Sequence, residues 1–352
     1  MTAPAKTKKP IDTTVGLSTG STLLNLALTG NPKRGYIPGK FFFIVGDSSS
    51  GKTFFNMTTY AEACKNPAFA KYRLIYDNVE DGMLMDVDHL FGTAMGDRLE
   101  PPALDEDSGE PVYSTTIEEF YYHVDDACKA GKPFIYVLDS MDGLSSEAEG
   151  EKFKDQKKAH RAGKEVPGSY GDGKAKKNSS ALRMLVNKLR VSGSILIIIS
   201  QTRDVLNASP WEEKKTRSGG RALRFYATAE FWLSLAGAIK KNIRKKNRNI
   251  GNKVMIKVKK NRITGRLPEI KTAIYPSYGV DDIGSCIDYL LEEQWWKKRG
   301  GKINAGEFGL LSREKLIRVI EGGKMAKLQK EVLACWTEIE QSGALKRKPR
   351  YS

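Results

Sequence analysis

The sequence predicts an α/β protein: a core built on a central, mainly parallel sheet over residues 16–291, then a small C-terminal helical domain over 292–352. Three observations predict it. Strand-like and helix-like stretches alternate along the first part of the chain, the pattern of a sheet whose crossovers are helices. Apolar strands end abruptly on polar residues, as they do at the carboxyl edge of a parallel sheet. A glycine-rich loop of phosphate-binding type lies between one such strand and a helix.

Taken in order, residues 1–15 (MTAPAKTKKPIDTTV) read as a flexible basic segment, with no apolar run behind it to make a secretory leader. KFFFIV is a short buried strand, and TFFNMTTYAEACK has the apolar spacing of a helix. Between them GDSSSGKT fits G-x-x-x-x-G-K-[ST] without adjustment. Gly46 and Gly51 let the loop fold tightly, so that the N–H groups along Asp47, Ser48, Ser49 and Ser50 gather around a β-phosphate. Lys52 reaches the β- and γ-phosphates, and the Thr53 hydroxyl ligates Mg²⁺. The motif therefore predicts ATP and Mg²⁺ as cofactors.

YRLIYD is a strand ending on Asp77, with Glu80 and Asp81 just beyond, a natural place for a carboxylate that polarises water. KPFIYVLDSMDG supplies a strand ending on Asp139, the acid expected to hold the metal beside Thr53; the plainer alternative is a turn or cap residue. GSILIIISQ ends on Ser200 and Gln201. Past the core, SREKLIRVIEGG and KMAKLQKEVLACWTEIEQSG have helical spacing and are separated by Gly322 and Gly323. The WWKKRGGKI turn precedes them, and the Trp295–Trp296 pair reads as core.

Composition narrows the function. Lysine and arginine outnumber acids 58 to 42, a formal charge of +16, which biases the partner towards polyanions. No apolar run approaches the ~20 residues of a membrane span. The four cysteines are scattered singly, which argues against a disulfide framework or a zinc site. A soluble, cytoplasmic protein with no membrane partner is the expectation. Three segments carry the basic surplus. Residues 152–177, rich in Lys, Gly and Ser without apolar periodicity, read as a long mobile loop. Residues 240–262 hold eleven cations and no acid, and the tail LKRKPRYS is basic again.

With these residues in view, the chain resembles the RecA-type recombinases, and within them the phage-encoded branch. The resemblance runs from GLSTGSTLLNLALTG through IPGKFFFIVGDSSSGKT, FIYVLDS and IIISQTR, and is most specific in SGGRALRFYATAEFWL and KVKKNRI. It implies a RecA-like P-loop ATPase core. It makes Gln201 a sensor of the γ-phosphate that passes its state to the DNA loops. Residues 145–180 fall where the first DNA-binding loop belongs, with Lys174, Lys176 and Lys177 as contacts. The second loop falls at 203–220, with Arg203, Lys214, Lys215, Arg217, Gly219 and Gly220. Lys260 and Arg262 match a basic pair that reaches the γ-phosphate of the neighbouring subunit, and Tyr275 a tyrosine that packs on adenine.

Three departures stand out. The family's catalytic glutamate lies two residues after the strand's Asp; here Val79 holds that place and Glu80 follows, leaving Glu80, Asp77 and Asp81 as candidates. The stretch before Gly16 is short for the helix and strand that dock neighbouring subunits in bacterial relatives. The tail is basic where bacterial relatives are acidic. The implied function is an ATP-dependent recombinase in the cytoplasm of a bacterial or phage-infected cell. It would form a helical homo-oligomeric filament on single-stranded DNA and pair it with homologous duplex DNA, served by a single-strand-binding protein and a loader. The alternatives are a RecA-fold ring helicase or translocase, and a weakly hydrolysing single-strand-binding mediator.

Overall fold

The computed structural model of the chain describes residues 15–162, 173–205, 211, 215–217 and 220–347. Helix α1 (Thr22–Thr29) opens on Ser21, whose side chain accepts from the Leu24 N–H, and closes on the left-handed Gly30. Strand β1 (Lys40–Gly46) then runs into the phosphate loop and α2 (Lys52–Lys65). After β2 (Arg73–Asp77) come the short helices α3 (Val87–Phe91) and α4 (Thr93–Gly96), the edge strand β3 (Leu99–Glu100) and a small β4–β5 pair (Ala103–Leu104, Pro111–Val112). Helix α5 (Ile117–Lys129) starts in a capping box between Thr116 and Glu119. It leads to β6 (Phe134–Leu138), α6 (Glu147–Arg161), α7 (Gly173–Ser192) and β7 (Ile195–Asp204).

The second half is richer in strands. Strand β8 (Lys215–Arg217) pairs back on β7, and α8 (Gly220–Tyr226) returns the chain to the sheet. Strands β9 (Ala229–Ile243) and β10 (Lys246–Asn261) form a long hairpin, followed by β11 (Glu269–Tyr275), β12 (Gly279–Asp281) and α9 (Asp282–Glu292). The C-terminal part holds a three-stranded sheet of β13 (Lys297–Arg299), β14 (Lys302–Asn304) and β15 (Leu310–Leu311), then α10 (Arg313–Glu321) and α11 (Met325–Ser342).

The main sheet has the order β12-β11-β10-β9-β1-β7-β6-β2-β3. Pairs from β9 through β1, β7, β6 and β2 to β3 are parallel, and those from β9 out to β12 antiparallel. Strand alternation feeds two cores: Phe42 and Ile44 of β1 face one, Phe41, Phe43 and Val45 the other. The first core is continuous with the C-terminal part, because Trp296, Ile303, Leu316, Leu328 and Trp336 pack in the cluster that holds α1 and α9. Among the described residues no helix is long and apolar enough to cross a membrane.

One expectation is overturned. The stretch 152–177 is not a long loop: α6 covers most of its first half, and α7 begins at Gly173, with 163–172 outside the described residues. A Ser146–Glu149 capping box starts α6, and Glu, Lys, Gln and Ala carry it forward by propensity. None of its residues is buried, so no apolar face was there to produce a periodicity. Strand β7 also runs further than its apolar run, through Gln201 to Asp204, because β8 continues the ladder beyond the sheet.

Candidate nucleotide site

The carboxyl ends of β1, β2, β6 and β7 bring Gly46, Asp77, Asp139 and Gln201 to one edge of the sheet. The loop's glycines have identifiable reasons. A Cβ on Gly46 would lie 2.7 Å from the Leu233 carbonyl oxygen. Gly51 has φ of +90°, and a Cβ there would lie 2.2 Å from Ile274 Cδ1. Lys52 is buried at the start of α2, and its Nζ donates to the carbonyls of Gly46 (2.9 Å) and Asp47 (2.7 Å). Burial pulls the Lys52 pKa down, against the pull of Asp139, Glu80, Asp142 and Asp47. The buried Ser50 Oγ has no partner of its own.

Thr53 Oγ1 donates to Asp139 Oδ2 at 2.8 Å, and Tyr76 Oη donates to the same oxygen at 2.9 Å. Burial raises the Asp139 pKa, while these two hydrogen bonds hold it back. A hydroxyl beside one carboxylate, next to a cradle of loop N–H groups, is the donor set Mg²⁺ takes when substrate phosphates supply the remaining oxygens. Thr53 and Asp139 fit that ion, whose chemistry there is to neutralise charge on the phosphates.

The three candidate acids after β2 are separated by their surroundings. Asp77 is buried and satisfied, accepting from the Ser114 N–H (2.9 Å) and hydroxyl (2.6 Å) and from Tyr136 Oη (2.7 Å). Asp81 has φ of +48°, is exposed and belongs to the turn. Glu80 Oε1 accepts from Gln201 Nε2 at 3.0 Å and from the Ser140 hydroxyl. Val79, at the place of the family's glutamate, packs on the second core, so the extra residue of this turn is absorbed inward and Glu80 comes round to the site.

The same edge reaches the second loop. Asp47 accepts from Thr202 Oγ1, and both its oxygens lie 2.6 Å from Lys215 Nζ. Burial would raise the Asp47 pKa, but Lys215 and Thr202 outweigh it and hold the pKa below the usual value. Asp142 accepts from the Ser200 hydroxyl (2.8 Å) and the Gln201 N–H (2.7 Å), with the Arg203 guanidinium at 3.5 Å. Tyr76, Ser140, Asp142 and Thr202 were missed in the sequence; each is defined by a partner distant along the chain, with no local motif to mark it. Arg217 turns inward, over the Phe43 ring and 3.2 Å from the buried Glu230. Lys177 pairs with Glu118 at 2.9 Å, Lys176 is exposed, and Gly220 abuts Ala175 of α7. Lys214, Gly219 and the Lys174 side chain lie outside the described residues.

Tyr275 closes β11 against Gly251, next to the Ile274 that abuts the phosphate loop. Lys260 and Arg262 lie elsewhere. Lys260 pairs in register with Glu230, level with Phe43, and the Arg262 N–H bonds to Thr228, whose own N–H bonds to Phe41. Both are therefore towards the opposite end of β1, roughly 10–17 Å along the strand from Gly46 at ~3.3 Å per residue. Their heads rest on the carbonyls of Arg224 and Phe225.

A P-loop at the carboxyl edge of a parallel sheet, with a strand-end acid hydrogen-bonded to the loop's threonine, defines a P-loop NTPase. The comparisons specify which. A model of the RecA N-terminal domain matches residues 129–281. Protein RecA of Xanthomonas axonopodis pv. citri is 28% identical over 299 residues, covering 83% of this chain and 75% of that protein. Protein RecA of Xylella fastidiosa (strain M12) is 29% identical over 303 residues, covering 84% and 76%, and that of Colwellia psychrerythraea 26% over 311, covering 83% and 78%. The chain is thus similar to the RecA recombinases over most of its length.

Proposed function

We propose that this protein is a DNA-dependent ATPase that assembles head to tail on single-stranded DNA as a helical filament and promotes pairing with homologous duplex DNA. The observation that carries the reading is the placement of Lys260 and Arg262 far along β1 from their own phosphate loop. A cationic pair so placed serves a nucleotide only in trans, and a heterologous contact that repeats this relation builds a filament. In this reading Lys52 and Thr53 hold the phosphates and Mg²⁺ with Asp139, Tyr275 flanks the adenine, and Glu80 polarises the attacking water. Gln201, hydrogen-bonded to Glu80 and continuous with β7, passes the state of the γ-phosphate to the second DNA loop. The resemblance to the phage-encoded branch is part of the proposal.

The test is complementation. Lys52→Ala removes the phosphate ligand, and a Lys260→Ala/Arg262→Ala double variant removes the finger. Neither should hydrolyse ATP in the presence of single-stranded DNA. An equal mixture should recover activity, up to about a quarter of wild type, because random assembly pairs an intact loop with an intact finger at that frequency. A mixture as inactive as its components refutes the trans site.

A further inference from the structure

Strand β9 enters the sheet through residues 229–233, AEFWL, and one of them is charged. Glu230 is 1% exposed, level with Phe43 of β1 on one side and with Lys260 of β10 on the other. A carboxylate taken out of water there is costly unless it is paired and hydrogen-bonded. Its partners come from three elements. Trp232 Nε1 donates to Oε1 at 2.8 Å, Arg217 Nε of β8 lies 3.2 Å from the same oxygen, and Arg224 Nε of α8 lies 3.1 Å from Oε2. Glu230 is also the only acid from 214 to 268.

Helix α8 links this carboxylate to the Lys260–Arg262 pair. The Arg224 side chain reaches Glu230, while its carbonyl accepts from Lys260 Nζ. The next carbonyl, of Phe225, accepts from Lys260 Nζ and from the Arg262 guanidinium, both at 2.8 Å. One turn of helix therefore holds both cations by its main chain and is itself held by one side chain. The surroundings of Glu230 and Lys260 are otherwise positive: Arg217 from β8, Arg224 from α8, Lys259 over the Trp232 ring and Arg262 on β10, with Lys40 of β1 near Arg262. Arg262 and Arg224 weaken the charge on Lys260, and Glu230 supports it. A buried ion pair adds little net stability over apolar packing. What it fixes here is the place of the groups tied to it.

We propose that Glu230 is the positioning residue of the Lys260–Arg262 pair, anchoring the α8 turn that carries both heads and supplying their counter-charge. The inference rests on the proposed role of that pair in trans and names the group that sets it. Two full-length variants cut the anchor from either side. Glu230→Gln keeps an acceptor for Trp232 and removes the charge; Arg224→Gln, at a half-exposed side chain, leaves Arg217 to balance the carboxylate. In both, kcat for single-strand-stimulated hydrolysis should fall about 10–100-fold, the cost of a misplacement of about 1 Å. The KM for ATP, and ATP binding without DNA, should stay as in wild type. The alkaline limbs of the two pH–rate profiles should part. The limb moves to lower pH in Glu230→Gln, which loses support for the Lys260 charge, and to higher pH in Arg224→Gln, which loses a cation opposing it. Adding Lys260→Arg to either should remove the limb. A merely structural loss would move both limbs alike or neither.

Each variant mixed with Lys52→Ala should recover activity, as the Lys260→Ala/Arg262→Ala variant does, and neither should recover when mixed with that double variant. Limbs that stay at the wild-type pH overturn the inference and leave the trans site standing. So does a lack of recovery with Lys52→Ala where the double variant recovers. If the double variant itself fails to recover with Lys52→Ala, the trans site falls and this inference with it. Should Glu230→Gln fail to fold, Arg224→Gln decides alone, by its limb and the same mixtures.

Discussion

Removing one hydroxyl, Tyr76→Phe, should weaken the nucleotide site without touching nucleotide. Tyr76 is buried on β2, and its Oη donates at 2.9 Å to Asp139, the residue that follows the neighbouring β6. The arrangement is reciprocal, since Tyr136 of β6 donates to Asp77 of β2 at 2.7 Å. Each strand thus supplies the hydrogen bond that holds the other's terminal carboxylate. A hydrogen bond to a charged group is worth about 1.5–3 kcal/mol, or about 1–2 pKa units. Burial already raises the Asp139 pKa, and Tyr76 is one of two donors opposing it. Without that donor the ionised form loses support and the pKa moves further up.

Two readouts follow from this shift. The acid limb of the pH–rate profile for ATP hydrolysis should move towards neutral pH. The Mg²⁺ concentration for half-maximal rate should rise about 10–100-fold, the usual cost of losing a group that orients a metal ligand. Phe keeps the ring in the core and Thr53 still donates to Asp139, so the loss of stability should not exceed the about 1.5–3 kcal/mol of the one hydrogen bond. A variant with the wild-type acid limb and Mg²⁺ dependence would refute the view that Tyr76 positions Asp139.

Burial, Arg262 and Arg224 lower the Lys260 pKa to about 8, with Glu230 opposing. Its ammonium is lost as pH rises through that value, so single-strand-stimulated hydrolysis should fall above it, and Lys260→Arg should remove the fall; identical alkaline limbs would refute the role of its charge. Burial raises the Asp282 pKa to about 6, against its bonds from the Thr22 N–H and hydroxyl, both 2.7 Å. A carboxyl with a raised folded pKa stabilises most when protonated. Stability should therefore decline from about pH 4 to pH 6, by at most about 3 kcal/mol for a shift near two units. Asp282→Asn should flatten that stretch in urea melts taken across pH, and an unchanged profile would assign the dependence elsewhere. Leu328→Ala should cost about 2–5 kcal/mol and lower a single melting transition, because α11 shares a core with α1 and α9; a separate early transition would show that the C-terminal part unfolds alone.

What could be read from the sequence follows a physical division. The phosphate loop is one contiguous segment whose residue types are dictated by its own backbone, so eight letters suffice. Strand-end groups such as Asp139 and Gln201 come next, because a buried parallel strand reads as an apolar run and the residue after it must lie at the edge. Pairing information is not local. Nothing near Tyr76 in the chain marks it as Asp139's partner, and nothing near Lys215 points to Asp47. Helix α6 shows the converse: with no buried face it lacks periodicity, and the S-x-x-E box at Ser146 and Glu149 was its one signal.

The same division bears on mechanism. Every group proposed to touch the nucleotide in cis lies within a few residues of a strand's carboxyl end or on the adjoining β11, so the fold alone assembles it. Lys260 and Arg262 are tied by Arg224 and Phe225 carbonyls to the other end of the sheet. No movement of a side chain spans that distance. If the pair acts on ATP at all, assembly must come before hydrolysis, and a dilute subunit with intact Lys52, Thr53 and Asp139 should bind nucleotide yet turn it over slowly. Lys215, in the segment proposed to bind DNA, pairs with Asp47 at the edge that holds Glu80 and Gln201, so under the proposed function strand binding would promote turnover in two separable ways, by gathering subunits and by ordering that edge. A rate that rises with protein concentration in the absence of DNA would isolate the first.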